Sequence, residues 1–200
     1  MMEQMTKTIQ SVIDIAWPMV LISIVILVSL RVTYLIKTGK HLYLYKELLM
    51  LSFIIYILCL FQVVTFQDDV SWSTNNFIPF REILRYNIGS RLFIKNVLGN
   101  MLLFLPFGFF TSYLLDNKRP LLTVVLTLIA SLSIEGVQLM IGRVFDVDDI
   151  ILNVLGGTFG FYLYNILDRL GKKSPKLLGN EYFLDVLAIF AVAGIIAILL

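Results

Sequence analysis

The chain has 200 residues, of which 58% are hydrophobic and 15% charged, whereas soluble domains average about 45–50% and about 25%. This composition excludes an ordinary soluble domain and predicts a protein that lies largely in lipid. The formal net charge is only +2, and the basic residues are scattered between apolar segments, so no nucleic-acid partner is expected.

The apolar residues form long stretches, and a helix needs about 20 mostly apolar residues to cross the bilayer core. Stretches that qualify or nearly qualify are 13–30, 48–66, 97–115, 121–141, 150–167 and 184–200. The connections between them are short and polar, which leaves no room for a separate soluble domain. The sequence therefore predicts an all-α, polytopic transmembrane bundle of about six helices.

We expect three regions along the chain. Residues 1–66 hold two N-terminal transmembrane helices, residues 67–167 hold a loop and three transmembrane helices, and residues 168–200 hold a basic loop and a C-terminal transmembrane helix. The longest connection, 67–93, mixes aromatic and aliphatic residues with charges. That pattern predicts a short amphipathic helix at the membrane surface.

The basic residues favour one orientation in the membrane. If the N-terminus is outside, ten of the sixteen Lys and Arg residues fall in the loops that face the cytoplasm. Cytoplasmic loops carry an excess of Lys and Arg, so we predict an outer N-terminus. The turn after the fourth helix would then lie at the outer face.

Glu135 lies deep in the fourth apolar stretch. Charged side chains are costly in mid-membrane, at about 2.5–3.5 kcal/mol for Arg, Lys or Asp at a helix centre. Ser131 and Gln138 lie four residues before and three after Glu135, which places them on one helical face. We expect this polar stripe to face the protein interior. Glu135 either holds helices together through hydrogen bonds or takes part in function.

The next turn, from Gly142 to Asp149, carries one arginine and three acids. Asp146, Asp149 and Asn153 are spaced to share a face of the fifth helix. An ion pair of Arg143 with one aspartate could close the turn and cap that helix. Alternatively, Arg143 binds a phosphate or carboxylate in a bidentate manner, while the aspartates hold a divalent cation or act as a base.

Small and amide residues mark the neighbouring helices. Asn96 and Asn100 stand four apart at the start of the third helix, where they either complete the polar cluster or bond helix to helix. Gly156 and Gly160 have the spacing that lets two backbones approach closely. The only histidine, His41, lies in a different loop, so a Ser-His-Asp site is unsupported.

Three segments resemble the VanZ-like family of bacterial membrane proteins, and the resemblance spans about residues 75–167. They are NNFIPF from Asn75, NVLGNMLLFLPFG from Asn96 and SLSIEGVQLMIGRVFDVDDIILNVLGG from Ser131. The resemblance implies a multi-pass protein of the bacterial plasma membrane, acting at the cell envelope, in a family whose namesake is associated with resistance to the glycopeptide teicoplanin. The family pattern marks Asn76, Pro79, Phe80, Asn96, Gly99, Asn100, Pro106, Gly108, Glu135, Gln138, Arg143, Asp146, Asp149, Asn153 and Gly157.

Our leading hypothesis is a polar pocket that binds or modifies the head group of a membrane lipid or a lipid-linked envelope precursor, as a transferase or hydrolase would at a phosphate. The candidate catalytic residues are Glu135, Asp146 and Asp149, and the candidate binding residues are Arg143, Gln138, Asn96, Asn100 and Asn153. A transporter or proton relay through Glu135 is an alternative, although no second half repeats the first. A structural subunit of a membrane complex is another.

Overall fold

A computed structural model describes residues 2–39, 43–66, 75–173 and 185–186. The helices are α1 (Met2–Thr38), α2 (Leu44–Phe66), the short α3 (Arg81–Arg85), α4 (Gly99–Leu114), α5 (Pro120–Met140) and α6 (Val147–Lys173), and a π-helix at Phe93–Leu98 leads directly into α4. Over these ranges no β-strand is present, only one isolated bridge. The all-α prediction is therefore confirmed.

The five longer helices of the described residues are long and apolar enough to cross a membrane. They match the first five apolar stretches of the sequence, and the chain is a multi-pass membrane protein. Apart from residues 185–186, the sixth predicted stretch, 184–200, lies outside the described residues. The short helix α3 falls within the 67–93 connection, where a short helix is predicted.

The chain divides into two compact units, Met1–Val63 with Leu170–Leu200, and Val64–Arg169. In the first unit, Arg31 of α1 forms two hydrogen bonds with the Glu47 carboxylate of α2, at 2.8 Å from Nε and 2.9 Å from Nη2. This bidentate pair joins the two helices and offsets the charge that each residue would otherwise bring into lipid.

In the second unit, α4 and α6 pack backbone against backbone at glycines. A Cβ atom on Gly108 would lie 1.8 Å from the Gly157 carbonyl oxygen, and one on Gly160 would lie 2.0 Å from the Leu105 carbonyl oxygen. Gly156 meets the carbonyl of Met101 in the same way. No side chain fits at these positions, because the obstructing atoms belong to the backbone of the facing helix.

We expect Gly108→Ala to weaken this packing. Overfilling a packed core typically costs about 1–3 kcal/mol, and here neither backbone can yield without separating the helices. The measurement is thermal unfolding of the detergent-solubilised protein. The matched control is Gly136→Ala in α5, where a Cβ meets nothing within 4 Å. Equal unfolding temperatures for the two variants would contradict the close α4–α6 approach.

Helix α5 turns a polar face inward along its whole length. Thr123, Thr127, Ser131, Glu135 and Gln138 are all buried and are spaced by three or four residues. The buried positions include the Ser131, Glu135 and Gln138 stripe predicted from the sequence. This face brings Glu135 into the interior of the second unit, next to the turn between α5 and α6.

Candidate functional site

The candidate site begins with the turn that joins α5 to α6. Gly142, at φ 82°, follows the end of α5, and the backbone N–H of Arg143 donates to the carbonyl of Gln138 at 2.9 Å. This arrangement is a Schellman motif, which requires a left-handed residue just past the helix end. The chain then folds back over α5, and the backbone N–H of Asp146 donates to Glu135 Oε2 at 2.9 Å. Glu135 is only 1% exposed.

The segment before α3 holds this turn in place. Asn76 N donates to the Phe145 carbonyl at 2.8 Å, and Val147 N donates to the Asn76 carbonyl at 3.0 Å. The side chain of Asn76 also donates to Asp146 Oδ1 at 2.8 Å, and Asn75 Oδ1 accepts from Phe145 N at 3.0 Å. The two asparagines that open the NNFIPF segment therefore anchor the acidic turn through both backbone and side chain.

Asp148 has a structural task that the sequence did not reveal. It is 1% exposed, and its carboxylate accepts hydrogen bonds from the backbone N–H groups of Phe80, Glu82 and Ile83. It thereby caps α3 from a distant part of the chain, because Phe80 at the N-cap position has no side-chain acceptor. That apolar residue at a helix start was the only signal in the sequence that an acceptor must come from elsewhere.

Asp149 points in a different direction from its neighbour. It lies in the first turn of α6, where the helix dipole favours a negative charge, and its Oδ1 accepts a hydrogen bond from Asn100 Nδ2 of α4. Its carboxylate interacts electrostatically with Glu135 and Arg143. Two acids from different helices, one buried and one half-buried, thus lie close to each other and to one arginine.

The structure brings most of the predicted site residues together, but not all of them. Asn100, Glu135, Arg143, Asp146 and Asp149 form one group, which we call the acidic cluster.

The remaining predicted residues lie around the acidic cluster. Asn96 donates to the Tyr86 hydroxyl at 2.8 Å, and Asn153 donates to Ser131 Oγ at 2.9 Å, deeper between α5 and α6. Gln138 is buried near the end of α5, where its carbonyl closes the turn. Asn96 and Asn153 therefore join neighbouring segments in the described contacts instead of bonding to the acids.

The predicted common helical face of Asp146, Asp149 and Asn153 is wrong for Asp146. Helix α6 begins at Val147, so Asp146 precedes it and lies in the isolated bridge with Asn76. Pairing with Asn76 keeps the backbone extended at Asp146, and helical spacing does not apply there. Asp149 and Asn153 do lie on α6, one turn apart.

Burial raises the pKa of Asp146, which lies just outside the membrane-spanning helices. Hydrogen bonds from the Asp148 backbone and the Asn76 side chain lower it in part, and the charges of Asp148 and Glu82 raise it further. A carboxyl group with a raised pKa is better suited to accept a proton than an ordinary aspartate.

The described residues do not provide a set of carboxylate ligands for the divalent cation that was considered from the sequence. Across the parts of the chain that the structure describes, no three His, Cys, Asp or Glu side chains are placed to hold a metal ion. Asp148 is directed at three backbone N–H groups, and Glu135 at the backbone of Asp146. Both carboxylates therefore already accept backbone hydrogen bonds in the described structure.

The acidic cluster combines one guanidinium group with several carboxylates. Arg143 is partly exposed and can be reached by a ligand, whereas Glu135 is enclosed behind the turn. An arginine binds phosphate oxygens in a bidentate manner, and a nearby carboxylate can accept the proton of an attacking hydroxyl group. The geometry is therefore compatible with both binding and acid-base chemistry.

Comparison with known proteins points to one family. No curated protein and no solved structure is detectably similar to the chain. The family model described as VanZ/LLP1 matches residues 53–168, which is more than half of the chain and contains every residue of the acidic cluster. The resemblance noted in the sequence is thereby confirmed, and this multi-pass membrane protein belongs to the VanZ/LLP1 family.

Proposed function

We propose that the acidic cluster binds the head group of a membrane lipid or lipid-linked envelope precursor at the bacterial plasma membrane, and that it transfers or hydrolyses a group at the head-group phosphate. The observation that carries the proposal is the meeting of two carboxylates, the buried Glu135 and the half-buried Asp149, with Arg143 at the end of a membrane helix bundle. Intramembrane ionisable residues usually mark substrate or ion sites, because their burial is costly.

In the proposed mechanism, Arg143 binds the phosphate oxygens and fixes the head group at the membrane face. A hydroxyl group of water or of an acceptor then attacks phosphorus, and its proton passes to Asp149 or Glu135. The bond between phosphorus and the original ester oxygen breaks, and that oxygen takes up the proton from the carboxyl group as it leaves. The carboxylates outnumber the arginine, and backbone and amide donors already bind several of them. These neutral donors leave the negative charge of the carboxylates in place. The cluster therefore favours a head group that carries an amine or a hydroxyl group beside its phosphate.

The proposal predicts that Arg143→Ala strongly reduces the change in lipid composition that the wild-type protein produces. Loss of the guanidinium group that binds the phosphate should lower turnover by about tenfold or more, since a charge-assisted hydrogen bond contributes about 1.5–3 kcal/mol. The measurement is mass spectrometry of lipid extracts from cells that express wild type, the variant or no protein. Head-group classes are compared at matched protein levels.

Arg91→Ala is the control, because Arg91 is exposed and lies outside the acidic cluster. A lipid profile that the wild-type protein leaves unchanged would argue against catalysis, and binding would then have to be measured directly on the purified protein. Normal function of Arg143→Ala in a phenotype assay, such as teicoplanin susceptibility, would contradict the whole proposal. A link to glycopeptide resistance belongs to the proposal only because such resistance, like the proposed reaction, acts at the cell envelope.

The buried polar face of α5 favours a second candidate, a proton relay across the bundle. Polar side chains run from Thr123 to Gln138, but among the described residues Thr127 Oγ1 has no hydrogen-bond partner, and it lies beside Gly157. This break interrupts a continuous chain of proton donors and acceptors, so we favour the head-group site. Proton flux in proteoliposomes that Glu135→Gln abolishes would reverse this preference.

A further inference from the structure

A second polar region lies at the opposite end of α4, α5 and α6 from the acidic cluster. A cavity of about 230 Å³ opens there, lined by Lys118 and Pro120 on one side and by residues of α6 from Phe161 to Arg169 on the other. The lining residues of α6 repeat at helical spacing and form one face of that helix. The cavity shares no residue with the acidic cluster and needs its own explanation.

The two cationic side chains that line this cavity differ in their hydrogen bonds and ion pairs with other residues. Lys118 Nζ contacts Asp116 Oδ1 at 2.8 Å and Asp168 Oδ2 at 3.0 Å, so two carboxylates share its charge. The hydrogen bond to Asp116 raises the pKa of Lys118, which keeps the ammonium group charged. Arg169 is exposed and forms no hydrogen bond or ion pair anywhere in the described structure, so its guanidinium group is available to a ligand.

The start of α5 adds a second feature that favours an anion. Pro120 is the first helical residue, Arg119 precedes it in an extended conformation, and no side chain caps the helix. The first turn of α5 has no acidic residue either. A helix of this length carries partial positive charge at its N-terminus, and its first backbone N–H groups lack partners within the helix.

Apart from Asn165, the rest of the cavity wall is apolar and continues onto an exposed hydrophobic surface of α6. Tyr162 and Ile166 line it and are both more than half exposed, although each is large and mainly hydrophobic. The cavity is smaller than the roughly 300–1,000 Å³ of pockets that enclose whole drug-sized ligands. It suits a compact charged group whose apolar remainder lies outside, along α6.

We propose that this cavity binds the phosphate of an anionic membrane lipid, with Arg169 as the main phosphate ligand and with the acyl chains lying along Tyr162 and Ile166. Lys118 is already paired with Asp116 and Asp168, so Arg169 supplies the charge that the phosphate meets, and Pro120 at the start of α5 lines the same cavity. Anionic lipids are attracted to basic residues at membrane faces. This inference is independent of the function proposed for the acidic cluster, because it uses other residues at the other end of the bundle.

The test is native mass spectrometry of the purified full chain, released from detergent with phosphatidylglycerol or phosphatidylcholine. We expect wild type to retain phosphatidylglycerol preferentially, and Arg169→Gln to bind it about tenfold more weakly, as loss of one charge-assisted interaction implies. Arg169→Lys should recover part of the affinity, since it restores the charge but not the bidentate geometry. Arg91→Gln, an exposed arginine outside the cavity, is the matched control.

Three results would overturn the proposal. One is equal retention of phosphatidylglycerol by wild type and Arg169→Gln, with both proteins folded by thermal unfolding. Another is an equal loss in Arg91→Gln, which would indicate non-specific surface charge. The third is displacement of the lipid by glycerol 3-phosphate at equal concentration, which would assign the cavity to a soluble phosphate ester instead of a lipid.

Discussion

Asp148→Ala should strongly destabilise the second unit of the protein. Asp148 accepts hydrogen bonds from three backbone N–H groups at the start of α3, and alanine leaves all three without that acceptor. Hydrogen bonds to a charged group contribute about 1.5–3 kcal/mol each, so we expect a loss above about 3 kcal/mol after partial relaxation. Thermal unfolding and size-exclusion chromatography in detergent measure this loss.

Two further variants separate the role of this carboxylate from a general effect of charge. Glu82→Ala removes an acid in the same segment that pairs with Arg85 near the surface, and an exposed pair of this kind contributes about 0–1 kcal/mol. Asp148→Asn keeps one acceptor oxygen and should be intermediate. An Asp148→Ala protein that unfolds at the same temperature as Glu82→Ala would refute the external cap.

Glu135→Gln and Asp149→Asn should each lower activity by about 10²–10⁴-fold, the usual contribution of general acid-base catalysis, while the protein still folds. Both substitutions retain an oxygen for the existing contacts, since Glu135 accepts from the Asp146 backbone and Asp149 accepts from Asn100. Only the capacity to carry a negative charge and take up a proton is removed. Activity is measured as the change in the affected lipid head group at matched protein levels.

Ser133→Ala serves as the control for these variants, because Ser133 is an exposed residue of α5 that bonds only to its own helix. Retained activity in both carboxamide variants would show that the carboxylates act in structure, as expected of a structural subunit of a membrane complex. Loss in one variant alone would identify which of the two acids receives the proton.

Helix content and membrane insertion could be predicted from the sequence because they depend on local composition. A run of apolar residues long enough to cross lipid leaves a helix as the simplest way to satisfy its backbone, so five spans of the described structure agree with the first five stretches. The buried face of α5 was likewise predictable, since the spacing of Ser131, Glu135 and Gln138 fixes their common direction on any helix.

The sequence could not distinguish the structural roles of three neighbouring acids, Asp146, Asp148 and Asp149. They lie within four residues and look equivalent, yet one pairs with Asn76, one caps α3, and one meets Asn100 of α4. Each partner is distant along the chain, at separations of 70, 66 and 49 residues. Nothing in local spacing predicts which distant group an acid will meet.

The sequence by itself determined that the chain is a helical membrane protein and that Glu135 faces inward, because periodicity and hydropathy act over one or two helical turns. Its three motifs carried the resemblance to the VanZ-like family. Only the tertiary structure decided that Asp148 serves the fold, that Asp146 precedes α6, and that Asn96 bonds Tyr86 and not the acids. Those assignments depend on long-range pairing of backbone and side-chain groups, which no local pattern specifies.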